Sequence, residues 1–179
     1  MLTAKGKYSL KALAHLAAQE PGATAQASEI AAASNIPKKF LDAILGELRN
    51  AGIVHSRKGP GGGYMLARAP SEIKIGWVIR VIDGPLAPIA CASRTAYQPC
   101  RDCRDVKACV VRQMMTTVRD AISDVLDRVT LADLQALDGR GRFATRRPTT
   151  RAPRPRFTAR MTRPAAESAR CSIGRCSTR

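Results

Sequence analysis

Acidic side chains are scarce: the 179 residues carry 14 Asp and Glu against 30 Lys and Arg. Long apolar runs are missing too, and no stretch approaches the roughly 20 apolar residues that a membrane-spanning helix needs. Histidine occurs twice, His15 in an expected helix and His55 in an expected strand, and both read as structural or DNA-proximal rather than as ligands. No Ser-His-Asp grouping can be assembled, no paired acids face a cleft, and no phosphate-binding glycine loop runs into a lysine and a helix. An enzyme is therefore the disfavoured class.

The surplus positive charge is uneven. Residues 1–83 carry 11 basic and 6 acidic side chains, residues 84–138 carry 7 and 7, and residues 139–179 carry 12 and 1. A basic N-terminal block suits a polyanionic partner. The last block, mostly Arg, Pro, Thr and Ala, has little to bury and reads as a basic, disordered tail, with Cys171 and Cys176 incidental to it. The N-terminus mimics a signal peptide, with Lys5 and Lys7 ahead of an alanine-rich run. Lys11, His15 and Glu20 interrupt that run, and Leu10, Leu13, Ala14 and Ala17 repeat at helical spacing, so it reads as a first helix. The expected location is the cytoplasm, where clustered thiols more often bind metal than form structural disulfides.

Further elements follow in order. Ser28 is the expected N-cap of a short helix over Glu29–Ser34, and the small residues and Asn35 after it suit a tight inter-helix turn. A second helix starts at about Pro37, with Leu41, Ile44, Leu45 and Leu48 on one face and Lys38, Asp42 and Arg49 on the other, and Gly52 ends it. Two strands, Ile53–Lys58 and Tyr64–Arg68, flank the glycine turn Gly59-Pro60-Gly61-Gly62-Gly63, the layout of a helix-turn-helix followed by a wing. Ile73–Asp83 reads as a helix packed on the core, with Trp77 as a core residue.

Reading DNA needs a helix that presents polar side chains to the major groove. Lys38, Lys39 and Asp42 are the candidates, the lysines for guanine acceptors or phosphates and Asp42 for cytosine N4. Arg57, Lys58 and the backbone at Gly61 and Gly62 suit the minor groove or a phosphate. Two lysines alone make only a solvated face; the turn, the wing and the net charge together favour double-stranded DNA.

Four cysteines fall inside the 19 residues from Cys91 to Cys109, spaced Cys91-x8-Cys100-x2-Cys103-x5-Cys109. The pattern matches neither a paired zinc ribbon nor a bacterial ferredoxin run. Arg101, Arg104 and Lys107 among the thiols are expected to offset thiolate charge and favour metal binding or oxidation. An iron-sulfur cluster is the preferred reading, with a zinc staple or directly oxidised thiols as alternatives.

Several segments resemble a known family. Leu2-Thr3-Ala4-Lys5-Gly6-Lys7-Tyr8, Ile36-Pro37-Lys38-Lys39-Phe40-Leu41-Asp42, Leu48-Arg49-Asn50-Ala51-Gly52-Ile53-Val54 and Arg57-Lys58-Gly59-Pro60-Gly61-Gly62-Gly63-Tyr64 are similar to the winged-helix regulators typified by the iron-sulfur cluster regulator IscR, the nitric-oxide sensor NsrR and the iron regulator RirA. The resemblance covers about residues 1–138. It implies a homodimeric transcription factor, often carrying a 2Fe-2S or 4Fe-4S cluster held by three cysteines and one further ligand. Only Cys103-x5-Cys109 keeps the usual spacing. Arg112 stands where one branch has a histidine ligand, and Cys100 is the candidate to replace it.

Val111, Met115, Val118, Ile122, Val125 and Val129 alternate steps of four and three, a seam suited to the same helix of a second subunit. Thr130 and Asp133 make a capping box for a last short helix. The expected fold is mainly α with a small β wing. It comprises a winged helix-turn-helix domain over 1–83, a cysteine-rich cluster-binding loop over 84–110, a dimerisation helix and short C-terminal helix over 111–138, and the tail over 139–179. The expected function is a DNA-binding regulator, acting as a repressor, that senses iron, redox state or nitric oxide.

Overall fold

The computed structural model describes residues 2–137, so the tail expected over 139–179, with Cys171 and Cys176, lies outside the described residues. In chain order they form α1 (Ala4–Ala17), α2 (Ala27–Ser34), α3 (Lys38–Asn50), β1 (Val54–Arg57), β2 (Gly63–Leu66), α4 (Ile75–Ile82), a 3-10 turn (Ala90–Ala92), α5 (Val110–Leu126) and α6 (Leu131–Leu137). The fold is mainly helical with one two-stranded antiparallel sheet.

Local chemistry explains the first three helices. Thr3 caps α1, its Oγ1 accepting from the Gly6 N–H at 3.1 Å, while its own N–H donates to Asp83 Oδ2 at 2.9 Å and pins the start of α1 to the end of α4. The second helix begins one residue before Ser28, with Gln26 as N-cap. Glu29 at the third helical position explains the shift, because its carboxylate reaches back to the Gln26 N–H at 3.4 Å. Asn35 then takes the left-handed conformation, φ 51°, which its short polar side chain tolerates, and the chain turns into α3. Pro37 occupies the N-cap position of α3.

Amphipathic faces assemble the core. Leu41, Ile44, Leu45 and Leu48 of α3 are fully buried beside Leu13 of α1, Ile30 of α2 and Val78 of α4. The strands are shorter than their sequence pattern, pairing only from Val54 with Leu66 to Arg57 with Gly63. Ile53 instead goes into the core, and Lys58 opens the turn. Trp77 lies half-buried at the core's edge, with the Arg68 guanidinium 5.6 Å from its ring centroid.

The C-terminal segment returns to the same core. Ile75 N–H donates to Val129 O at 3.0 Å and Leu131 N–H to Ile73 O at 2.9 Å. Val129, placed on the seam by spacing alone, is therefore buried in its own chain, beyond the end of α5. Thr130 and Asp133 form both halves of the capping box, Thr130 N–H donating to Asp133 Oδ2 at 2.8 Å and Asp133 N–H to Thr130 Oγ1 at 3.2 Å.

Arg80 of α4 grips Asp127 at the end of α5 with two bonds, 2.6 and 2.9 Å. That hydrogen-bonded guanidinium holds the Asp127 carboxyl below the usual carboxylate range. A depressed folded-state value means that the pair's stabilisation is complete above the ordinary carboxylate range and is lost as pH falls through the depressed value. The side chains are 32% and 47% exposed, so the contribution is under about 1 kcal/mol. Urea midpoints should fall with acidification less in Asp127→Asn than in the parent; equal pH dependence would remove the pair from the account.

Candidate DNA interface and thiol loop

The reader residues sit on two consecutive elements. Lys38, Lys39 and Asp42 are all exposed on α3, which leads through Ala51–Ile53 straight into β1, and Arg57, Lys58 and Gly61 are exposed on the wing. The wing's tip depends on its glycines. Gly61 has φ +72°, and a Cβ on Gly62 would collide with the backbone oxygen of Arg57, so neither position accepts a side chain without strain.

A third segment holds the wing in place. Ala25 and Tyr64 exchange backbone hydrogen bonds of 3.0 and 2.8 Å, and Thr24 Oγ1 donates to Gly61 O at 2.7 Å. The chain just before α2 thus clamps both the base and the tip of the turn. Thr24 carries no sequence signal for this role, because its partner is 37 residues away.

The four cysteines are all free, and their environments differ. Cys91 is buried in the 3-10 turn, whereas Cys100, Cys103 and Cys109 are half-buried. Cys103 and Cys109 bring their sulfurs to 3.7 Å, the one thiol–thiol hydrogen bond among the described residues. Among the described residues no group of three or more His, Cys, Asp or Glu side chains surrounds a point suited to a metal ion.

Cys109 is the N-cap of α5, so the backbone N–H groups of Arg112 and Val111 face its sulfur and, with the Cys103 thiol, lower its pKa. The neighbouring Cys100 and Cys109 thiols push Cys103 up to about 12. The pair is thus asymmetric, with Cys109 the more acidic of the two thiols. Its asymmetry comes from the start of α5 and Arg112, rather than from Arg101, Arg104 and Lys107.

Two arginines tie the Cys91 turn to α5. Arg112 Nε donates to Cys91 O at 2.9 Å. Arg119 is nine-tenths buried. It donates through Nη1 to Ala92 O and through Nη2 to Asp120 Oδ1 at 2.6 Å, and Asp120 also takes Arg94 at 3.0 Å. A buried guanidinium needs such a full set of acceptors. Arg119 was not legible as a site residue, since a lone arginine in an amphipathic helix reads as solvated.

Beyond the thiols α5 turns apolar residues outward: Val110, Val111, Met114, Val118, Ile122 and Val125 are all exposed. Among the described residues no helix is long and apolar enough to cross a membrane.

A helix-turn-helix, a glycine-tipped wing and a basic surface define a winged-helix DNA-binding protein, and the helix behind them carries a thiol loop at its start. Residues 2–137 match the family described as Rrf2, iron-dependent transcriptional regulator, and the chain belongs to that family. An rrf2-like HTH-type transcriptional regulator of Rhodobacter capsulatus is 46% identical over 139 residues, covering 76% of this chain and 93% of that one. The structure of CymR, the global cysteine regulator of Bacillus subtilis, superposes with a TM-score of 0.62 at 32% identity, covering 76% of this chain and 96% of that one. IscR of T. potens gives a TM-score of 0.61 at 29% identity, with 79% and 89% covered. The protein is a DNA-binding transcriptional regulator and not an enzyme.

Proposed function

We propose that the protein is a homodimeric, cytoplasmic repressor whose grip on a double-stranded operator is set by an iron-sulfur cluster, 2Fe-2S or 4Fe-4S, at Cys91, Cys100, Cys103 and Cys109. The observation that carries this reading is the 3.7 Å between the Cys103 and Cys109 sulfurs. Two thiolates bound to one tetrahedral ion at about 2.3 Å stand about 3.8 Å apart, so this pair fits a shared iron. The iron dependence in the family's description points the same way. When bound, a cluster supplies iron that reacts with oxidants and nitric oxide. The protein's own part is mechanical. Cys109 begins α5, Arg112 and Arg119 fasten the Cys91 turn to α5, and Arg80 fastens the end of α5 to α4 of the reader domain.

The proposed domain roles follow: residues 84–110 bind the cluster, and the exposed apolar side of α5 meets the same helix of a second subunit. Two recognition helices then enter successive major grooves about one helical turn apart. Within each reader Asp42 selects bases, while Lys58 and the backbone at Gly61 and Gly62 hold the DNA backbone. Asp42→Ala should relax base preference, costing about 1–3 kcal/mol of discrimination at one position, whereas Lys58→Ala should weaken all duplexes alike and shallow the salt dependence. Selection from random duplexes followed by titration checks both, and no preferred sequence would sink the site-specific reading.

The same 3.7 Å separation favours a second reading without a cluster. The Cys109 thiolate attacks hydrogen peroxide to give a sulfenic acid and hydroxide, which takes a proton from solvent, and the Cys103 thiol then displaces the sulfenic oxygen as water to leave a Cys103–Cys109 disulfide. Iron and sulfide analysis of anaerobically purified protein separates the two readings. Zinc, or no metal, would move the function to the thiols alone.

A further inference from the structure

Phe40 is 58% exposed in the first turn of α3, directly after Lys38 and Lys39. Helical steps of 100° place the buried Leu41, Ile44, Leu45 and Leu48 on one side of α3 and Lys39, Ala43 and Gly46 opposite them. Asp42 borders this outer face on one edge and Phe40 on the other. The Phe40 edge is the one nearest α1, because its ring leans on Tyr8 with centroids 6.5 Å apart and planes tilted by 56°. Two helical turns further on, Glu47 holds Lys5 of α1 at 2.7 Å. Tyr8 is itself half-buried against the core, so the Phe40 ring is braced on one side and open on the other.

A braced phenyl ring cannot hydrogen-bond a base edge; what it offers is van der Waals contact with an apolar group. In the major groove that group is the C5-methyl of thymine. We propose that Phe40 is a specificity-determining residue that packs on a thymine methyl in each half-site, next to the bases within reach of Lys39 and Asp42. This rests on α3 being the recognition helix. It adds a hydrophobic reading to the polar one. Brace and position both favour it: the first turn of a recognition helix is the part that reaches base edges, and a ring already fixed by Tyr8 loses little freedom on docking.

The test removes one methyl at a time. In an operator recovered by selection, each thymine is replaced by deoxyuridine, which deletes the C5-methyl and leaves every hydrogen-bonding group. The native protein should lose about fourfold in affinity at one thymine per half-site, the loss expected for a buried methyl. Phe40→Ala should abolish that penalty there alone, and Phe40→Leu should keep part of it. An operator bound with clear preference but no methyl penalty at any thymine overturns the role of Phe40 and leaves the recognition helix standing. A penalty undiminished in both variants also overturns it. A selection that returns no preferred sequence overturns the recognition helix and this inference together.

Discussion

Anaerobically purified Cys109→Ala protein is expected to be colourless and to lack iron and sulfide, while the parent protein absorbs in the visible range. The argument runs from position. Cys109 is the residue at which the loop becomes α5, and its sulfur faces the free N–H groups of Arg112 and Val111, a setting that favours the thiolate needed for a ligand. Cys103, 3.7 Å away, should behave alike when replaced, since removing either member leaves half of a shared-iron site. Operator affinity should change in both variants on the order of 5–150-fold, the usual range of coupling between two sites. Cys100→Ala should leave a weaker or more labile cluster. Stoichiometric metal surviving in the Cys103 and Cys109 variants would refute the ligand assignment.

The second large effect concerns stability. Leu45 is fully buried on the inner face of α3, in the layer that α1, α3 and α4 share. Leu45→Ala removes three carbons from a packed site and should cost roughly 2–5 kcal/mol, read as a lower urea midpoint at unchanged slope. DNA affinity measured well below that midpoint should hardly move, because the outer face of α3 keeps its side chains. A cost under about 1 kcal/mol would mean that α3 is not seated on this core. Strong loss of DNA binding in protein that is still folded would mean that inner packing, and not only Lys39 and Asp42, sets the reader's shape.

The helices of the reader domain were legible because their signals are local. Leu41, Ile44, Leu45 and Leu48 repeat within two turns, Pro37 starts a helix and Gly52 ends one, and each signal needs only its neighbours to act. Boundaries were less legible where a side chain chose between equivalent caps. Glu29 drew the start of α2 to Ala27, and the core took Ile53 out of the expected first strand. Of the exposed stripe, Val111, Val118, Ile122 and Val125 were visible as a period, whereas the expected Met115 is half-buried and Met114 is exposed beside it. The last expected member, Val129, is off the stripe, because burial there depends on Ile73 and Ile75 arriving from 56 and 54 residues upstream.

By itself the sequence determined that this chain makes a helix-turn-helix and a glycine-tipped wing, carries a basic surface, and holds four thiols behind them. Propensity, period and charge act over a few residues and need no partner. Only the tertiary structure decided which thiols meet, with Cys103 and Cys109 in contact, and that Cys91 is buried in the 3-10 turn. It also decided that Arg112 and Arg119 fasten that turn to α5 and that Thr24 braces the wing. These are hydrogen bonds and packing contacts between segments far apart in the chain, and their geometry exists only once the core has brought those segments together.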